Sequence, residues 1–147
     1  MGCDIHSQAE KRVEGKWEAI PDLLPFDWRS YGMYGFLANV RNYSAVPPIS
    51  EPRGLPPDAT GDTDYTYGDH SYSWLSVEEL LAFDYDQPME DRRVTRTVGN
   101  FTNGGVTAEP GGGSQTTFRE FLGPHFFEDL EKLKAAGAER IVFGFDN

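Results

Sequence analysis

The sequence predicts an α+β fold, with a mixed or mainly antiparallel sheet and two to three helices packed on one face. Three observations predict it. Apolar and polar residues alternate near both ends of the chain, the period of a strand with one covered face. Two boxes, Ser76-Val77-Glu78-Glu79 and Thr117-Phe118-Arg119-Glu120, carry the side chains that cap a helix N-terminus reciprocally. A helix-period apolar stripe, Phe126, Phe127, Leu130 and Leu133, ends at Gly137, where a C-terminal cap belongs, just before the last strand pattern.

The elements follow in order. Over residues 3–13, Cys3, Ile5, Ser7 and Ala9 point one way and Asp4, His6, Gln8 and Glu10 the other. Glu14-Gly15 is a turn signal, and Lys16 to Ile20 resumes the strand pattern around Trp17, so an N-terminal β-hairpin is expected. From Ser30 to Arg41, Met33, Phe36, Leu37 and Val40 recur at helical spacing, although Gly32 and Gly35 each weaken a helix by about 1 kcal/mol relative to alanine. Residues 42–73 lack clear periodicity and read as one long functional loop. The first capping box opens a helix of about two turns with Leu80, Leu81 and Phe83. Val94 to Val98 alternates as a strand, Asn103-Gly104 reads as a hairpin turn, and Pro110 to Ser114 as a flexible tip. The second box opens a helix interrupted at Gly123-Pro124, where proline fits a new first turn. Ile141 to Phe145 is the final strand.

Composition bounds the function. The 147 residues fit one domain, 1–147, and ten Phe, seven Tyr and three Trp suffice for a core. No apolar run nears the ~18–20 residues that span a bilayer, and no basic-then-apolar leader opens the sequence. Met1-Gly2-Cys3 invites myristoylation, but His6 stands where that pattern needs Ser or Thr. The single cysteine forms no internal disulfide and fits a reducing compartment, so a cytoplasmic location, with no membrane partner, is expected. Net charge is −11, and ten carboxylates fall between Arg53 and Arg92 with no Lys or Arg among them. Such a field repels nucleic-acid polymers.

Candidate chemistry concentrates in three strings. Asp4, His6 and Gln8 share a strand face; a carboxylate near an imidazole fixes its tautomer and raises its basicity, which suits a general base or a metal ligand. Arg53 lies between prolines in Ser50-Glu51-Pro52-Arg53-Gly54-Leu55-Pro56, which restricts its backbone, and guanidinium suits phosphate. The bland alternative is an internal pair with Glu51 or another carboxylate. Gly68-Asp69-His70-Ser71-Tyr72-Ser73-Trp74 offers an imidazole, hydroxyls and stacking planes. The assembled expectation makes His6, His70 and Asp4 catalytic and Arg53, Tyr72, Ser73, Trp74 and Gln8 substrate-binding, with no required metal. The cofactor is left open, a divalent ion on Asp4, His6, Asp69 and His70 being one option. Asp4-Ile5-His6 with Gly61-Asp62 echoes the opening motifs of calcineurin-like metallophosphoesterases, but the later motifs are missing. The two-histidine phosphoesterases need His-x-Ser/Thr twice, which neither His6-Ser7-Gln8 nor His70-Ser71-Tyr72 supplies. Cys3 falls on the face opposite His6.

The opening Met1-Gly2-Cys3-Asp4-Ile5-His6, the 50–56 string, His70-Ser71-Tyr72-Ser73-Trp74-Leu75 and the ending Val142-Phe143-Gly144-Phe145-Asp146-Asn147 together resemble a family of small bacteriophage and prophage proteins that begin with the same hexapeptide. The resemblance spans nearly the whole chain. It implies a phage accessory protein in the host cytosol and brings no activity with it.

Three functions remain in play. The first is a phosphodiesterase-like hydrolase of a small nucleotide or phosphate-containing host signal. The second is a non-catalytic sponge for such a ligand, and the third an acidic inhibitor of a basic host factor. Host-defence evasion fits each, and homo-oligomers are compatible with all. The first and last strands are expected side by side, so that Asp4 and His6 meet Asp146 or the terminal carboxylate while Gly144 leaves room for a ligand.

Overall fold

The structure is a computed structural model that describes residues 2–99 and 101–146, excluding the side chains at 63, 64, 96–98 and 101–105. The terminal carboxylate of Asn147 lies outside the described residues. In chain order the first elements are β1 (Asp4–Val13), β2 (Lys16–Ile20), α1 (Tyr31–Ala38), α2 (Thr63–Thr66), β3 (His70–Ser76) and α3 (Val77–Ala82). Then come β4 (Pro88–Asp91), β5 (Arg93–Val98), β6 (Phe101–Thr107), β7 (Ser114–Thr117), α4 (Phe118–Leu122), α5 (Pro124–Ala135) and β8 (Arg140–Asp146). The architecture is α+β with antiparallel pairing, as predicted. No helix among the described residues is long and apolar enough to cross a membrane.

The chain divides into two compact units, each built from separated segments. The first comprises Met1–Arg29, Pro52–Phe83 and Pro124–Asn147, and holds a four-stranded sheet in the order β2-β1-β8-β3. Its hairpin turns at Glu14 and Gly15, both at positive φ (52° and 79°), the geometry that matches strand twist. That turn fixes the register Val13↔Lys16, hence Arg12↔Trp17. The last strand enters beside the first, antiparallel, with Asp4↔Asp146, His6↔Gly144 and Glu10↔Arg140. Cross-strand partners project to one side, so each sheet face can be read directly. One face carries Ile5, Ala9, Leu75, Ile141, Phe143 and Phe145; with Phe126, Leu130 and Leu133 of α5 they form a buried apolar set. Each Leu, Ile and Phe side chain among them contributes about 1.5–3 kcal/mol. The other face carries Asp4, His6, Gln8, Glu10, Arg12, Arg140, Gly144 and Asp146.

The capping box at Ser76 is complete: its hydroxyl accepts from the Glu79 amide, and the Glu79 carboxylate accepts from the Ser76 amide. Gly137 sits at φ 73°, its amide and that of Ala138 closing α5 onto the Lys134 and Leu133 carbonyls.

The second unit comprises Ser30–Glu51 and Asp84–Gly123. Helix α1 is buried along almost its whole length; Ser30 caps it and Asn39 ends it at φ 58°. Phe36 of this helix meets Tyr85 and Phe118, ring centroids 5.9 Å and 5.8 Å away. Strands β4 and β7 pair, as do β5 and β6. The Thr117 hydroxyl caps α4, accepting from the Glu120 amide.

Two sequence expectations are corrected. The long functional loop 42–73 is not one loop: α2 interrupts it and its end, His70 to Ser73, is already strand β3. That strand pairs with β8 through a bulge, so its alternation is broken at the point where a period would be read. Asn103-Gly104 is no hairpin turn but lies within β6, Asn103 pairing with Arg96; the connection falls between Val98 and Phe101. The helices are divided between the units: α3 packs on β8 and α5 in the first, while α1 and α4 belong to the second.

Candidate functional site

His6 is held from two directions. Its Nε2 is hydrogen-bonded to Oδ2 of Asp146, and both side chains remain about two-fifths exposed (38% and 40%). An ionised carboxylate only accepts, so the bond puts the ring hydrogen on Nε2 and leaves the lone pair of the neutral ring on Nδ1. Beside it, Arg29 binds Asp4 through two bonds, Nε to Oδ1 at 2.9 Å and Nη2 to Oδ2 at 3.0 Å. Those bonds hold the Asp4 carboxyl below the usual carboxylate range, aided by the charges of Arg29 and His6 and opposed by desolvation. Gly68 backs the imidazole at φ 78°; a Cβ there would stand 2.7 Å from the Phe145 carbonyl oxygen and 3.1 Å from His6 Cδ2, so only glycine fits. A cleft of about 230 Å³ opens at this end, lined by His6, Gln8, Asp27 and Thr66 with Ile5, Ser7 and Leu24. The predicted meeting of Asp4, His6 and Asp146 is therefore present. The cation beside them is Arg29, which no periodicity signalled.

His70 does not join them. It pairs with Phe145, its ring stacked on that phenyl at 6.2 Å and 27°, and its Nδ1 lies 2.9 Å from the Ser71 hydroxyl. Phe145 stands on the buried face, opposite Ile5, whereas His6 stands on the other face, opposite Gly144. The sheet thus separates the two imidazoles, and the pairing of His6 with His70 as base and acid on one phosphodiester is corrected.

Ser71 and Tyr72 together face the single residue Gly144 across the bulge, with Ser71 at φ 55°. The space at Gly144 is filled by the chain itself: a Cβ there would lie 2.0 Å from the Tyr67 carbonyl oxygen and 2.7 Å from Tyr72 Cδ1. The expectation that Gly144 leaves room for a ligand is overturned. The Tyr72 hydroxyl donates to the Gly68 carbonyl at 2.6 Å, so this ring locks the 67–72 segment down.

Arg53 is committed elsewhere. Its guanidinium binds both carboxylate oxygens of Glu79, at 2.8 and 2.6 Å, and the Trp74 carbonyl at 3.2 Å, and lies 4.7 Å from the Trp74 ring centroid. Its backbone amide donates to the buried Ser73 hydroxyl at 3.0 Å. The internal-pair alternative holds, with Glu79 as the carboxylate; as a phosphate anchor beside His6, Arg53 is corrected. Ser73 is a structural acceptor, and Gln8 donates to the Thr60 hydroxyl.

Further along the same face, Glu10 is fully buried, accepting from Arg140 Nε at 2.5 Å and from the Thr60 amide and hydroxyl at 2.8 and 2.5 Å. Arg140 also reaches Asp58 Oδ1 at 3.0 Å. This buried pair fastens the 58–60 segment across the sheet.

Beyond it lies a wider groove of about 750 Å³. Trp17 and Trp74 border it, the latter predicted and the former not. Counting from the Glu14-Gly15 turn puts Trp17 opposite Arg12, and so on this face, which is the signal that could have found it. Among the described residues no three His, Cys, Asp or Glu side chains converge to hold a metal ion. No protein-family profile, curated protein or solved structure matches this chain.

Proposed function

We propose that the first unit hydrolyses a small phosphate-containing ligand, a phosphodiester of nucleotide type, at the cleft beside His6. One observation carries the reading: a part-exposed imidazole, held by a carboxylate on the adjacent strand, opens onto a cleft, and the Arg29–Asp4 ion pair lies two residues along the same strand face, outside the cleft lining. His6 Nδ1 takes a proton from water as its oxygen attacks phosphorus; the bond to the leaving oxygen breaks, and the imidazolium returns the proton to it. Asp146 orients the ring and stabilises the imidazolium. Arg29, steadied by Asp4, supplies positive charge for the phosphate oxygens. His70 and Arg53 have no part in this scheme. The resemblance to small phage proteins gives it a setting, removal of a host nucleotide signal in the cytosol.

A second reading is capture without turnover. It draws on the separation of the two histidines, which leaves one general base and no separate acid. Incubation with a panel of cyclic and linear nucleotides, followed by denaturation and chromatography, distinguishes the two. Hydrolysis predicts altered nucleotide, with the rate falling about 10²–10⁴-fold in His6→Gln and less in Asp146→Asn. Stoichiometric recovery of intact ligand would establish capture instead. Neither retention nor conversion of any nucleotide would end both readings.

A further inference from the structure

The wider groove starts on the sheet face that carries His6, at its other end, and runs over the end of the sheet to α3 and the last turn of α5; it takes no part in the hydrolytic scheme. Trp17 stands on β2 and Trp74 on β3, with β1 and β8 between them. Trp74 is level with Gln8 and Trp17 with Arg12, so three strand spacings and four residues of offset put their backbones about 20 Å apart. Each indole is braced by a guanidinium. Arg140 lies 3.7 Å from the Trp17 centroid, itself locked by Glu10 and Asp58, and Arg12 lies 5.3 Å away. Arg53, tied to Glu79, covers Trp74 and does not line the groove. Rings held in place before a ligand arrives lose little entropy on stacking. Val77, Leu81, Ala82 and Ala138 make the rest of the surface mainly apolar.

Charge selects the occupant. The first unit carries eight Lys and Arg against seventeen Asp and Glu. Three of those eight cations, Arg12, Lys134 and Arg140, line this groove, against only two of the carboxylates, Glu78 and Glu139. In a strongly acidic unit this is a local reversal. Arg12 is bound to Glu139 and Arg140 to Glu10, so the exposed Lys134 is the cation placed to meet an anion.

We propose that this groove is a nucleotide-binding site, with the base stacked on Trp74, the length of the ligand running toward Trp17, and the phosphate at Lys134. The volume falls in the usual range of roughly 300–1,000 Å³ for such sites. A base on an indole gains stacking whatever its identity, so purines bind more tightly than pyrimidines through area alone.

Titration of the whole protein with AMP, GMP, CMP and UMP, and with the matching nucleosides, tests this by tryptophan fluorescence and calorimetry. Expected are saturable quenching, purine nucleotides ahead of pyrimidine, and a nucleotide affinity at least 5-fold above that of the nucleoside. Lys134→Gln, at an exposed position that leaves folding intact, should erase the nucleotide–nucleoside difference. Trp74→Phe should weaken both ligands about 10-fold. His6→Gln should change neither, which separates this site from the hydrolytic one. Absence of saturable binding, equal affinity for nucleotide and nucleoside, or binding insensitive to both Lys134→Gln and Trp74→Phe overturns the proposal.

Discussion

Glu10 and His6 lie on one strand and one face, four residues apart, and each meets a partner on β8. At position 10 the partner is Arg140, both are sealed from water, and Thr60 completes the carboxylate's bonds. At position 6 the partner is Asp146 and both stay part-exposed beside a cleft. What separates a structural ion pair from an available imidazole is therefore the cover. The 58–60 segment closes over the first, while Gly68, having no side chain, stops short of the second. Residue type and strand parity alone would treat the two alike.

Breaking the sealed pair should have the largest effect. Glu10→Ala leaves Arg140 buried without its main partner, and a loss of about 3–5 kcal/mol is expected by denaturant unfolding. A loss under 1 kcal/mol would mean the cover opens readily and the contrast with His6 is false. Next comes Gly144→Ala. Its methyl would press on the Tyr67 carbonyl, so overpacking of about 1–3 kcal/mol is expected, with faster hydrogen exchange confined to residues 66–72. Unchanged exchange there would show that the segment is not held down at this point.

Arg53→Met sharpens the assignment of Arg53 to structure. At pH 7 about 1 kcal/mol of stability should be lost, Glu79 keeping only its bond from the Ser76 amide, and the turnover proposed at His6 should be unaffected. Hydrogen bonds from Arg53, against desolvation, hold Glu79 below its ordinary value. A depressed carboxylate stabilises fully above its unfolded value of about 4.3 and loses that contribution as pH falls through the lower folded value. Wild type and Arg53→Met should therefore converge in acid; a gap that widens there would reverse the assignment. Smallest is Tyr65→Ser, 90% exposed on α2, expected within about 0.5 kcal/mol of wild type by thermal unfolding.

Much of the fold was legible because its signals are local. The Glu14-Gly15 turn, the Ser76 capping box, the α5 stripe with Gly137 and the last strand each announce themselves within a dozen residues. Strand β3 was not, because Ser71 and Tyr72 share one partner and break the alternation. Asn103-Gly104 misled because a favourable turn pair can be absorbed into a strand when pairing on both sides of it holds. Of the site, the Asp4, His6 and Asp146 grouping followed from parity and from placing the last strand beside the first. The destinations of Arg53 and His70 did not. Glu79 competes for the guanidinium from an adjacent helix, and the bulge turns the imidazole to the buried side. Both outcomes depend on tertiary register, which no window of sequence contains.

The placement of β8 has a consequence for how the protein comes into being. This strand, near the end of the sequence, is an inner member of the first unit's sheet, flanked by β1 and β3. Until the ribosome has delivered residues 140–146, those flanking strands have no common neighbour, and Phe143 and Phe145 are missing from the interior. Closing a chain loop of such length is entropically slow. Assembly of this unit therefore waits until residues 140–146 have been made, and until then the nascent chain exposes unpaired strand edges to chaperones.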